Sequence, residues 1–286
     1  MTPAETRDRA RRNLKSAHTL LADDDADKAA YLAGEAVELI LKARYCVLNG
    51  LPGLPSDNKD LRQHGLQEHD LDKLLTLSES AHIQWRAMNE IDWSVASDHN
   101  NQDRYTRPGS ISKERAAERI AQTERLLDGL VEYEVVEACQ AVALELATQG
   151  VTLNLIAWCL TQEGKWTLIA ASLWFDCART RVRRMAQLVS MICARLQPDL
   201  HDLIKNTLDV FGVSDPVPTT FYHLALQMDG GGLRLENSTF LNFDRMPPPR
   251  GRLENSPLLV KNVRASRFEI ESAYLIEVDT TNLVFR

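Results

Sequence analysis

With 286 residues, 44% of them hydrophobic and 26% charged, the chain has room for one large domain or two ordinary ones and the composition of a soluble globular protein. A net charge of −7 argues against a protein coated in nucleic acid, and roughly six of those excess negatives lie before residue 136. Five scattered cysteines without a CxxC pair fit a reduced cytoplasm and no structural zinc. The opening MTPAETRDRARRNL lacks the apolar core of a secretory signal, and runs such as VTLNLIAWCL are too short to cross a bilayer, so no membrane partner is expected.

In chain order, TPAE opens a helix: Thr2 caps, Pro3 suits the first helical position, Glu5 reaches back, and Ala10, Leu14, Ala17 and Leu21 recur at helical spacing. The acidic break DDDAD has no EF-hand spacing and reads as the charged start of a second helix, AAYLAGEAVELILKARYCVLNG. Its stripe is Leu32, Ala36, Leu39 and Ala43, and Asn49-Gly50 is its stop. LPGLPSDNKD reads as a loop, a third helix begins near Asp70, SAHIQWRAMNEIDWSVA is a fourth, and DHNNQDRYTRPGS is polar loop. From Ser112 a long helix runs to about Gly150, with Gly129 as a weak point.

The pattern then changes. VTLNLIAWCLTQ and KWTLIAASLWFD flank Glu163-Gly164 as a β-hairpin, ARTRVRRMAQLVSMICARLQ is helical up to Pro198, and DLHDLIKNTLDVFG reads as a short helix. From Thr219 the runs FYHLALQM, LRLENSTFLNF, LLVKNV, RFEIESAYLIEV and TNLVF favour strands, and RLENS occurs twice. The expected fold is α+β: a helical bundle over residues 1–135, then a mixed domain over 136–286 rich in antiparallel strands.

AAYLAGEAVELILKA with Glu38 and Lys42, the helix start HDLDKLL, and Arg104-Tyr105 before the closing helix resemble the HEPN family of small helical bundles. The resemblance covers about the first 130 residues and reaches no further. It implies either of two activities. Many members are metal-independent endoribonucleases of toxin, antiviral or CRISPR systems, marked by Arg, four to six residues and His, with a composite site where two domains pair. Others are non-catalytic modules that bind a partner protein.

RQHGLQEHDLDKLL offers Arg62 and His69 at the longest such spacing. A neutral histidine can take the proton of a ribose 2′-hydroxyl while arginine stabilises the charged phosphorane, with no metal or other cofactor. Amides at the helix start near Asp70 would favour a neutral imidazole and a bound phosphate. The competing reading makes His69 a polar residue at a helix entrance, with Asp70 as cap and Leu71, Leu74 and Leu75 packing inward, and Arg62 a solvated loop charge. Arg11 or Arg12 with His18, and Arg195 with His201, have similar spacing, while in the ribonucleases the motif generally lies later, where this chain has His99 and Arg104 in reversed order. These readings stay open on sequence.

Arg179, Arg181, Arg183 and Arg184 form the densest basic cluster and are the candidate RNA contacts, against a solvated helix face. Arg245, Arg250, Arg252, Arg264 and Arg267 offer a second basic surface. The five tryptophans read as core, Asp229–Gly232 as a hairpin turn, and Ser172 with Asp176 as a remote hydrolase guess lacking a histidine. The expected role is therefore RNA-directed, in a toxin or genome-defence setting, with the bundle pairing as a homodimer or with a heteromeric partner protein. The alternatives are an adaptor and a small-ligand sensor.

Overall fold

The computed structural model of the chain describes residues 1–67, 69–78, 93–99, 109–163, 165–175, 178–205, 208–211, 218, 221, 258–265 and 268–278. Their contacts divide into two units, Met1–Tyr133 and Glu134–Arg286. The first is helical and the second carries a mixed sheet, so the fold class is α+β.

In the first unit, α1 (Pro3–Ala22) opens with the expected capping box: Glu5 N–H donates to Thr2 Oγ1 and Thr2 N–H donates to Glu5 Oε2. The chain reverses through Asp24 at φ 61°, and Asp25 caps α2 (Ala26–Leu48) by accepting from Lys28 N–H. The inner face of α2 is built of small residues, Ala29, Ala33 and Ala36, followed by Val37, Ile40 and Leu41, all buried, which lets α1 lie close along it. Asp27 accepts from Gly109 and Ile111 N–H, tying the start of α2 to the entry of the long helix α6 (Lys113–Thr148), which passes through Gly129 without interruption.

Between them lie α3 (Asn58–Gln63), α4 (Leu71–Leu77) and α5 (Trp93–Ala96). Leu66, Leu71, Leu74 and Leu75 drop into the same core as α1 and α2, and Trp93 donates its indole N–H to Asp72 at 2.6 Å. α3 corrects the expected loop: Asp57 accepts from Asp60 N–H and starts a helical turn that the reading of LPGLPSDNKD had missed. Most of SAHIQWRAMNEIDWSVA, including Trp85, lies outside the described residues, as do Arg104 and Tyr105.

In the second unit, β1 (Leu155–Thr161) and β2 (Trp166–Ala171) form the expected hairpin, with Leu155 opposite Ala171 and Leu160 opposite Trp166. β1 is buried over most of its length because β5 (Phe268–Val278) pairs with its other edge, also antiparallel, and β4 (Leu258–Ala265) pairs with β5. Leu208–Phe211 corrects a second expectation. It is a strand, β3, parallel to β2, and the order is β3-β2-β1-β5-β4. Among the described residues of the expected short helix, His201–Lys205 (α8) is α-helical after the 3₁₀ turn Pro198–Leu200. The edge of β2 pairs with the segment LDVF and draws it into the sheet, so tertiary pairing overrides helical spacing. α7 (Ala178–Cys193) stands where a helix was expected. Both RLENS copies, Asp229–Gly232, the remaining C-terminal strand runs, and Arg245, Arg250, Arg252 and Arg267 lie outside the described residues.

Candidate functional site

His64 and His69 of the segment RQHGLQEHD meet one face of α2. Glu38, Lys42 and Tyr45 follow one another at helical spacing on that face, and each receives or supports a residue of the segment. His64 Nδ1 lies 3.1 Å from the Tyr45 hydroxyl, and His69 Nδ1 lies 2.8 Å from Glu38 Oε2. Lys42 donates to the other Glu38 oxygen at 2.7 Å.

The path of the segment follows from its residues. α3 ends at His64, and Gly65 adopts φ 68°, a conformation glycine takes without penalty. That turn lets Leu66 N–H reach Leu61 O and sends the Leu66 side chain fully into the core. Gln67 then folds back over α3. Its Oε1 accepts from Arg62 Nε at 2.8 Å and its Nε2 donates to the Asn58 carbonyl at 2.9 Å. Asp70 closes the segment by accepting from Asp72 and Lys73 N–H. The helix-start amides expected to hold a phosphate are thus taken by Asp70.

Burial separates the roles. The Glu38 and Lys42 side chains keep 14% and 10% of their surface exposed, whereas His69 keeps 51%. Glu38 is therefore the fixed end of the pair and the imidazole the open end. Burial works to raise the Glu38 carboxyl, but the charge and hydrogen bond of Lys42 and the hydrogen bond of His69 outweigh it and hold the group below its ordinary value. An ionised carboxylate only accepts, so Nδ1 of His69 carries the proton toward Glu38, and in the neutral ring Nε2 keeps its lone pair.

Beside this pair opens a cleft of about 590 Å³. Leu39, Leu54 and Leu61 give it an apolar wall, and Glu38, Lys42, Asn58, Gln67 and His69 a polar rim. The size falls in the usual range of small-ligand sites. Arg62 does not line the cleft; it sits in the last turn of α3, exposed, and reaches the rim only through Gln67. The structure thus brings His69 to Glu38 and Arg62 to Gln67, and makes no hydrogen bond between Arg62 and His69.

The other candidates are placed elsewhere. His99 packs against Gly34, where any Cβ would meet its Nδ1 at 2.1 Å, and against the Tyr31 ring, and it is not part of the cleft wall. His18 bonds to Glu124 and Arg12 to Asp8, both at the surface, while Arg195 is held by Glu145 and His201 by the Leu196 carbonyl. Of the basic cluster on α7, Arg181 donates to the Phe175 carbonyl, and Arg184 donates to the Trp174 carbonyl while lying over its indole. Both hold the 3₁₀ turn Leu173–Phe175, Arg183 is exposed, and the Arg179 side chain lies outside the described part. Ser172 donates to the Thr152 carbonyl and accepts from Trp174 N–H, a structural use, and Asp176 lies outside the described residues. Among the described residues, no His, Cys, Asp and Glu side chains gather in a group of three or more able to hold a metal ion.

Sequence reasoning missed Glu38 as the partner of His69, and Tyr45 and Gln67 as supports. Glu38, Lys42 and Tyr45 at i, i+4 and i+7 were the available signal. Among the described residues no helix is long and apolar enough to cross a membrane. The chain matches no curated protein and no solved structure. A family model described as HEPN domain matches residues 4–133, and nothing is recognised in the C-terminal part. The N-terminal part of this chain is a HEPN domain.

Proposed function

We propose that the HEPN domain is an RNA-directed module that cleaves RNA without a metal, with His69 as general base and Arg62 as phosphate ligand, in a cytoplasmic toxin or genome-defence setting. The observation that carries this reading is the Glu38–His69 pair at the mouth of the cleft. Glu38 fixes the tautomer, so Nε2 is the atom that takes the proton of a ribose 2′-hydroxyl. The 2′-oxygen attacks the adjacent phosphorus, the bond to the 5′-oxygen breaks, and the products are a 2′,3′-cyclic phosphate and a 5′-hydroxyl that takes its proton from solvent. Lys42 balances Glu38, which leaves Arg62 as the cation for the phosphate oxygens. A homodimer through the helical bundle would bring a second copy of the set to one groove, and exposed Arg183 is a candidate RNA-backbone contact on the C-terminal unit by itself.

The acidity of the N-terminal unit favours a second reading, a non-catalytic adaptor for a basic partner protein. The test is cleavage of end-labelled total RNA in EDTA by wild type, Arg62→Ala and His69→Ala, each checked for folding. The expected result is cyclic-phosphate ends from the wild type and losses of about 10²- to 10⁴-fold in both variants. Undiminished cutting by both variants would move the site elsewhere, and no cutting by the wild type would leave the adaptor.

A further inference from the structure

We infer that Gln67 is a positioning residue for Arg62, an inference that rests on the reading of Arg62 as phosphate ligand. The two hydrogen bonds of Gln67 decide its orientation without ambiguity. The Asn58 carbonyl can only accept and Arg62 Nε can only donate, so the amide nitrogen must face Asn58 and the amide oxygen must face Arg62. The backbone that carries this amide is itself fixed, since Gly65 supplies the left-handed turn and Leu66 is fully buried.

The consequence for Arg62 is specific. Its Nε is committed to Gln67, which restrains the exposed guanidinium and leaves the two Nη groups to act as the fork. Among the described residues those Nη groups make no hydrogen bond. A fork held in this way meets two phosphate oxygens at once and has less freedom to lose on binding than a loose exposed arginine. Gln67 also lines the cleft that His69 opens onto, so one amide ties the arginine of the segment to the wall beside its histidine.

The experiment is a double-mutant cycle on RNA cleavage in EDTA: wild type, Gln67→Met, Arg62→Ala and the pair, with Gln67→Ala repeated in case the methionine variant does not fold. Thermal melts exclude unfolded protein. If Gln67 acts through Arg62, Gln67→Met lowers kcat/KM about tenfold in the wild-type background and less than twofold when Arg62 is already alanine. An equal loss in both backgrounds overturns the positioning role and leaves the ribonuclease reading standing. Should the wild type cut nothing, the same cycle is run on binding of a fluorescent single-stranded RNA oligonucleotide. Coupling there upholds the role of Gln67 while the cleavage reading fails; independent effects, or no binding at all, overturn it.

Discussion

Replacing Lys42 by Met tests the electrostatics of the site directly. Methionine keeps most of the apolar stem of a side chain only 10% exposed, so packing changes little and the ammonium is lost. Glu38 is then a carboxylate with 14% of its surface exposed and, among the described residues, His69 as its remaining partner. At the 2.7 Å separation seen here, an effective dielectric of about 20 gives the lost attraction a size of about 6 kcal/mol. The full amount is never felt, because protonation is the cheaper escape. From an ordinary value of 4.5, neutralising the carboxyl at pH 7 costs about 3.4 kcal/mol. The expected loss at pH 7 is therefore about 3 kcal/mol. The sign follows from the two shifts. In the wild type the carboxyl lies below its ordinary value, so its contribution is present above pH 4.5 and fades as pH falls through the folded value. In the variant burial dominates and pushes the group up, so stability falls as pH rises from about 4.5. Urea melts of both proteins between pH 4 and pH 8 measure this. The gap should be smallest at pH 4 and widen by up to about 1.4 kcal/mol per pH unit. A gap of the same size at every pH would refute the reasoning and assign the loss to packing.

Gly34→Ala should reverse the usual helix rule. An exposed helical glycine gains about 1 kcal/mol on becoming alanine, but here the new Cβ would sit 2.1 Å from His99 Nδ1, so a loss of about 1 to 3 kcal/mol is expected. Thermal melts in the His99→Ala background should then show the loss gone. Ser172→Ala strands the Thr152 carbonyl and the Trp174 amide beside a site 1% exposed and should cost about 1 to 3 kcal/mol in a urea melt. Among the described cysteines, burial pushes the Cys139 and Cys159 thiols far up, so a thiol reagent should modify half-exposed Cys193 in the native protein and reach those two only on unfolding; mass mapping of the labelled peptides checks the order.

The parts legible in the sequence are those whose signals are local. Thr2 and Glu5 three residues apart form the capping box they promised, Asn49-Gly50 ends α2, Asp70 caps α4, and the apolar runs on either side of Glu163-Gly164 pair as a hairpin. The two misreadings have opposite causes. α3 was missed because its cap, Asp57, is embedded in a stretch rich in proline and glycine, where loop signals outweigh one aspartate. β3 was missed because LDVF follows a helix in sequence and its partner, β2, lies some forty residues earlier.

The site shows the same limit at closer range. Two readings of RQHGLQEHDLDKLL compete, a catalytic pair and a polar helix entrance capped by Asp70, and the structure shows that cap and the inward leucines while giving His69 a partner that neither reading named. Asp70 does the capping alone, which removes the helix amides from any phosphate site and frees His69 from a structural duty at that helix start. What His69 meets instead is Glu38, 31 positions earlier, and no spacing rule within the segment points there. Read alone, Glu38 and Lys42 are an i, i+4 pair of the kind common on solvated helix faces and worth only a few tenths of a kcal/mol. Burial changes their meaning. A carboxylate with little access to water needs both the ammonium and the imidazole, and in satisfying it the imidazole is left oriented toward an open cleft. The chemistry proposed for this domain thus depends on a packing fact, the depth of one face of α2, that composition and periodicity do not encode.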